Sequence, residues 1–283
     1  MVPALSVELP EAYILAKQMN SELKGKEAAK CKLQNCTNYQ RLGFVNTYLS
    51  DFNRLHTRKI EGASSRGNTI RVKFDGDMNL LLAPEYGGIT LYHPQGSIPP
   101  KKYTLKLEFT DESALTVSLT GMGLIKALTD PELQDNYLYH RDFSSTASPL
   151  DLDFTFKRFS TDLNRKNTNL KTALVGKEAA VVGLGNAAFQ DIIYRAALHP
   201  KHKTGELNEA ELKALYEAVK NVVEDRIKSG GKEQFVDFYG NQGTYVAAMG
   251  PNMKDQPCKR CGQGIAKISF GGGQVYLCPA CQK

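Results

Sequence analysis

Apolar residues recur at helical spacing at the start of the chain and change to strand-like alternation further on. Tyr13, Ile14, Ala16, Met19 and Leu23 follow Pro10 at intervals that predict a helix over residues 8–28, with the proline in its first turn. From about Ile60 to Leu119 the period drops to two. There Thr69–Phe74, Leu80–Ala83, Thr90–His93, Tyr103–Phe109 and Leu115–Leu119 read as strands, with glycine-containing turns at Phe74–Asp77, Tyr86–Gly88 and Pro94–Ser97. This succession predicts an antiparallel sandwich or barrel joined to the first helix. Residues 120–165 are mixed, and the Ser/Pro-rich stretch Phe143–Pro149 suits a linker. Helical spacing returns near Leu170, predicting helices over Lys171–Lys177, Asn186–Leu198 and Asn208–Lys228. Asn208 with Glu211 three residues on is a capping pair for the last helix, which stops before Gly230-Gly231.

The last stretch of chain is different again. Cys258-Lys-Arg-Cys261 and Cys278-Pro-Ala-Cys281 are two Cys-x-x-Cys knuckles separated by 16 residues. That spacing places four thiolates, one pair from each turn of a hairpin, where a tetrahedral Zn²⁺ takes them. Between the knuckles Ile265–Phe270 and Gln274–Leu277 read as short strands joined by Gly271-Gly272-Gly273, which makes a zinc ribbon with structural Zn²⁺ as the cofactor. The alternative of two redox disulfides requires an oxidising compartment that nothing in the chain suggests. Lys254, Lys259, Arg260 and Lys267 point to a ribbon surface that faces nucleic acid. Cys31 and Cys36, lacking His or Cys partners, read as free thiols.

The bulk numbers add bounds. A chain of 283 residues with 41% hydrophobic positions accommodates two compact domains with real cores. A net charge of +6 favours a polyanion without demanding one. With no apolar run of membrane-spanning length and no charged-then-apolar leader, the expectation is a soluble, cytoplasmic protein without a membrane partner. No internal repeat or low-complexity tract is present.

One more motif carries chemistry. Gly183-Leu-Gly-Asn186 opens a helix, so backbone N–H groups, an amide side chain and the helix dipole converge where an anion could sit. Alone this is only a turn. Taken in order, Glu8-Leu-Pro-Glu11, Gly183-Leu-Gly-Asn186, His199-Pro200, Pro257-Cys-Lys-Arg-Cys261-Gly262 and Cys278-Pro-Ala-Cys281-Gln-Lys283 resemble the formamidopyrimidine-DNA glycosylase / endonuclease VIII (Fpg/Nei) family. The resemblance runs over essentially the whole chain and is strongest from Lys171 onward.

The resemblance implies an α+β protein: an N-terminal helix plus antiparallel β-sandwich over 1–145, a helix–two-turn–helix domain over 146–250 and the four-cysteine zinc ribbon over 251–283. It implies a monomer that binds damaged or distorted double-stranded DNA in a cleft, associating with the nucleoid when bound. Asn186 and Lys171 would hold phosphates flanking an extruded nucleotide, although Lys171 stands one residue upstream of the family's usual spacing. Tyr86, in Pro84-Glu-Tyr-Gly-Gly88, is the candidate wedge for the gap left by that nucleotide.

Three departures concern the family's reaction, in which the amine of an N-terminal proline attacks C1′, a following glutamate moves protons and a Schiff base permits strand cleavage. The aligned pair here is Val7-Glu8, and a nitrogen acylated by Ser6 is an amide, not an amine. Asn68, in Ser65-Arg66-Gly67-Asn68-Thr69, stands where the family has a phosphate-contacting lysine. As DNA-binding candidates, Asn68 keeps hydrogen-bonding capacity, and Arg66 reads either as a phosphate grip or as a solvated surface charge. Gly273, beside Gln274, stands where the family has a phosphate-clamping arginine. Glu8 keeps two readings, a general acid/base and a helix N-terminal charge. The expectation is a DNA-binding protein of glycosylase ancestry whose Schiff-base (AP-lyase) chemistry is lost or altered. The alternatives are a competent bifunctional glycosylase using Val7 exposed by trimming or a folded-back terminal Val2, and a non-catalytic nucleic-acid scaffold.

Overall fold

A computed structural model describes residues 6–84, 88–143 and 147–283. The chain divides into two units, one holding residues 1–144 with 229–244 and the other 145–228 with 245–283. The Gly230–Gly243 segment, assigned from sequence to the helical domain, is thus grouped by its contacts with the first unit.

The first unit begins with α1 (Leu9–Leu23). Glu8 and Glu11 form a reciprocal capping box at its start, and Pro10 sits in the first turn where its missing N–H costs nothing. The helix ends five residues earlier than its apolar spacing predicts. Gly25 takes a left-handed φ of 85°, and strand β1 (Ala28–Leu33) follows at once. After the short helix α2 (Thr37–Arg41) come β2 (Ile60–Arg66), β3 (Thr69–Phe74), β4 (Met78–Ala83), β5 (Ile89–His93), β6 (Leu105–Phe109), β7 (Ala114–Ser118) and β8 (Leu124–Thr129), then helices α3 (Asp130–Gln134) and α4 (Tyr137–Phe143). Two four-stranded antiparallel sheets result, ordered β1-β6-β7-β5 and β2-β3-β4-β8.

Alternation explains which side chains meet. Ile70, Val72 and Phe74 of β3 join Leu105, Leu107 and Phe109 of β6 in one core, to which α1 adds Leu15, Met19 and Leu23. Phe235 and Phe238, from the returning segment, fill the same core. Strand β4 is buried on both faces. Leu80 and Leu82 face that core, whereas Leu81 and Ala83 pack with Leu133 and Tyr139 of the α3–α4 pair.

The second unit contains α5 (Phe156–Asn164), α6 (Leu170–Val175), α7 (Asn186–Arg195) and α8 (Glu209–Lys228), followed by the hairpin β9 (Ala266–Phe270) and β10 (Gly273–Leu277). The predicted capping pair of α8 is present: Glu211 N–H donates to Asn208 Oδ1 at 3.0 Å and Asn208 N–H to Glu211 Oε2 at 2.9 Å. Asn169 caps α6 by accepting from Thr172 N–H at 2.9 Å. No helix among the described residues is long and apolar enough to cross a membrane.

Candidate nucleic-acid interface and zinc site

Four short segments carry the residues singled out by sequence. Val2 and Tyr86 lie outside the described residues.

At the entrance to α1, Val7 is 3% exposed and packs in the main core, so its side chain acts as a structural anchor. Glu8 is equally buried and Glu11 fully so. Glu11 accepts two backbone donors, Glu8 N–H at 3.2 Å and Lys232 N–H at 3.3 Å. Lys232 itself is buried, and its Nζ donates to Ser6 Oγ at 2.7 Å. A buried amine therefore stands against the residue that acylates Val7. Sequence reading missed it, because Gly230-Gly231-Lys232 looks like an ordinary helix exit.

The turn between β2 and β3 is held from outside. Gly67 has φ 55°, and Asn68 is 9% exposed. Arg141 of α4 donates to Asn68 Oδ1 at 3.1 Å and forms an ion pair with the buried carboxylate of Asp142. Asp142 also accepts from Thr69 Oγ1 at 2.5 Å. Asn68 thus works as an acceptor that ties this turn to α4. Arg141 brings a cation to this turn, which carries half-buried Arg66 of its own.

In the second unit Lys171 and Asn186 meet the same hairpin. Lys171 Nζ donates to Phe270 O, and Asn186 Nδ2 donates to Gln274 O at 2.8 Å. Burial pushes the Lys171 ammonium below the usual lysine range. Gly271 and Gly272 have φ of 55° and 76°, the mirror-image two-residue turn that suits a twisted hairpin. Glycine at 271 is also demanded by space, since a Cβ there would lie 2.9 Å from Lys171 Cδ. A Cβ at Gly273 would lie 3.4 Å from Lys171 Nζ and 3.9 Å from Asn186 Oδ1. The position where the family pattern has an arginine therefore adjoins a lysine already in place. Asn186 Oδ1 is buried and has no hydrogen-bond partner among the described residues.

Cys258, Cys261, Cys278 and Cys281 bring their Sγ atoms within 4.8 Å of one another. The Cys258–Cys281 and Cys261–Cys278 separations are 3.9 and 3.5 Å. Tetrahedral Zn–S bonds of about 2.3 Å put sulfurs roughly 3.8 Å apart, whereas a disulfide needs about 2.05 Å. None of the four is in a disulfide, so each can ionise to the thiolate that the metal takes. The four cysteines fit a structural zinc site, whose bound ion would cross-link the two knuckles.

The surroundings orient these ligands. Tyr194 Oη lies 3.3 Å from Cys258 Sγ, and Gln282 accepts from Cys278 N–H at 2.9 Å while donating to Leu198 O at 3.0 Å. Arg260 is exposed at the ribbon surface and also has a structural role. Its guanidinium lies 4.4 Å from the Tyr194 ring centroid and donates to the carbonyls of Tyr194 and Arg195, closing the C-terminal end of α7. His199 is a chain-end tie, with its N–H donating to Lys283 O at 2.8 Å. Cys31 and Cys36 are free thiols.

Comparison with known proteins is consistent across the chain. Residues 146–236 match the formamidopyrimidine-DNA glycosylase H2TH domain, and residues 255–283 match the zinc finger found in FPG and IleRS. The formamidopyrimidine-DNA glycosylase of Heliobacterium modesticaldum is 26% identical over 287 residues, covering 98% of this chain and 99% of that one. The Bacillus subtilis enzyme of the same name is 33% identical over 133 residues, covering 46% and 48%. Among solved structures, Lactococcus lactis Fpg in complex with abasic-site DNA superposes with a TM-score of 0.84 at 21% identity, covering 98% of this chain and 99% of that one. This chain thus carries the H2TH domain and the zinc finger of formamidopyrimidine-DNA glycosylases, on an α+β fold that resembles those proteins along nearly its full length.

Proposed function

We propose that this protein binds damaged or distorted double-stranded DNA and that the family's Schiff-base step does not run through residue 7. Kinship supports the first half, since the relatives are named formamidopyrimidine-DNA glycosylases and the superposed Lactococcus lactis protein holds abasic-site DNA. Asn186, Lys171 and the Phe270–Gln274 turn are the phosphate-holding candidates, brought together in one unit. Phosphate contacts of this kind give affinity and orientation without sequence choice.

The observation that carries the second half is the state of Val7. Its nitrogen is acylated by Ser6, its side chain is 3% exposed in the core, and it leads straight into the capped start of α1. An amide lone pair is delocalised into its carbonyl and does not add to C1′. Glu8 keeps its place beside this position and would serve in proton transfer.

The test has two arms. A duplex containing a tetrahydrofuran abasic analogue should bind more tightly than the same duplex intact, and equal affinity would remove the lesion-recognition reading. Borohydride reduction in the presence of a true abasic duplex, followed by peptide mapping, should leave Val7 unmodified. A sugar adduct on the nitrogen of Val7 would restore the terminal-amine mechanism.

A further inference from the structure

We infer that Lys232 is the amine nucleophile of this protein, standing in for the nitrogen that Val7 cannot offer. The inference rests on the DNA-binding reading above and names the residue that would do its chemistry. Three observations converge, all within the first unit. Lys232 Nζ is 2.7 Å from Ser6 Oγ, one residue from the position whose nitrogen attacks in the family pattern. The lysine is 8% exposed, so its amine is withdrawn from water without being sealed. Two carboxylates belong to the same neighbourhood: Glu11 accepts from the Lys232 backbone N–H at 3.3 Å, and Glu8 is linked to Glu11 through the capping box.

The lysine is also placed rather than dangling. Gly230 and Gly231 have φ of 67° and 96°, and a Cβ on Gly231 would collide with the Phe235 ring at 2.4 Å. Across the loop, a Cβ on Gly243 would lie 2.5 Å from Lys232 O. Phe235 N–H donates to Lys232 O at 2.8 Å, and Phe235 is seated in the main core. The backbone of residue 232 is thus fixed by close approaches that only glycine permits. A buried, positioned lysine amine is an established type of nucleophile for carbonyl carbons.

The step balances. Lys232 ammonium gives one proton to solvent, and the Nζ lone pair adds to C1′ of the open-chain abasic aldehyde. The former carbonyl oxygen takes up protons and leaves as water, leaving a C=N⁺ bond. Loss of a C2′ proton to a carboxylate, a role for Glu8 of the capping box, sends that electron pair into the sugar and expels the 3′ phosphate. Added borohydride instead delivers hydride to the C=N⁺ carbon and fixes a secondary amine.

The experiment treats the full-length zinc-loaded protein with an abasic-site duplex and borohydride, then digests the adduct and locates the sugar by mass spectrometry. In parallel, Lys232→Arg, which keeps the charge and a donor for Ser6, is tested for trapping and for binding to the tetrahydrofuran duplex. The inference expects the sugar on Lys232, and expects Lys232→Arg to lose trapping while binding stays within about threefold, less than one hydrogen bond's worth. Attachment at any other amine overturns it. Tight binding to the tetrahydrofuran duplex by the wild-type chain without any adduct also overturns it, while leaving the DNA-binding reading intact. Failure to bind that duplex at all removes the DNA-binding reading and this inference with it. If Lys232→Arg melts early, the peptide map of the wild-type adduct still decides.

Discussion

Asn186 Nδ2 donates to the backbone carbonyl of Gln274 at 2.8 Å, so the first residue of α7 holds the start of β10. Lys171 does the same for Phe270 on the other side of the hairpin tip. A helix start and a helix first turn thereby fix a glycine turn that has no side chains of its own to pack. The residues that would contact phosphate and the residues that shape the hairpin are the same two.

Asn186→Ala should therefore weaken binding to every duplex sequence alike, by roughly fivefold for the loss of about 1 kcal/mol of hydrogen bonding. Fluorescence anisotropy with two unrelated duplexes checks this. A change confined to one sequence would contradict a backbone-directed role, and unchanged affinity on both would remove Asn186 from the interface.

Zinc should be structural. Cys261→Ala removes one of four ligands whose Sγ atoms lie within 4.8 Å of one another. The ribbon is small, packing Met249, Met253, Tyr194 and Tyr276 around its cysteines and burying Val275 and Leu277 of β10, so its folding draws on the metal. The variant should lose its zinc, read by elemental analysis, and the 255–283 segment should become protease-sensitive while the α8 region stays protected. Retention of one zinc per chain would refute the four-cysteine site.

Arg260 shows what could and could not be read from the chain. Spacing alone identified the zinc cysteines and the Asn208–Glu211 cap, because both are local patterns with few competing outcomes. Arg260 lies in the same motif, yet its guanidinium turns back onto Tyr194 and the end of α7, a choice made by tertiary packing. The early end of α1 has the same origin. Residues 26–28 suit a helix, but Ala28 and its neighbours gain a ladder with Leu105–Phe109 far along the chain. Asn68 read as a lost cation, whereas its amide oxygen is held by Arg141 from a helix that the mixed 120–165 pattern did not reveal. Arg260→Ala should cost about 1–2 kcal/mol through the lost cap and cation–π contact. Thermal unfolding of the zinc-loaded protein reads this, and a melting temperature unmoved by the substitution would show that the contact contributes nothing.

The two thiols outside the ribbon should be chemically quiet. Burial, with the neighbouring Cys36 adding to it, pushes the Cys31 thiol up to about 12, and burial also raises Cys36. Thiolate is the reactive form, so a raised value leaves almost none at about pH 8.5. Reactivity should stay low through about pH 9 and grow only as the pH climbs toward the Cys31 value of about 12. Iodoacetamide in mildly alkaline buffer should leave both residues unlabelled in the native protein and label both in guanidinium, as peptide mapping would show. Rapid native labelling of Cys31 would contradict its burial.

Glu8 has two roles that different substitutions separate. It caps α1 in the reciprocal box with Glu11, and it is the carboxylate next to Val7. Glu8→Ala removes both the cap and the carboxylate, and should destabilise the protein by about 1 kcal/mol, lowering the melting temperature by roughly 2–4 °C. Glu8→Gln keeps an amide oxygen to accept from the helix N–H but cannot exchange a proton at neutral pH. If Glu8 moves protons, Glu8→Gln should leave the melting temperature in place and slow nicking of an abasic duplex about a hundredfold or more. Nicking at the wild-type rate in Glu8→Gln would leave the residue as a helix cap, with the proton transfer assigned to another group beside Lys232.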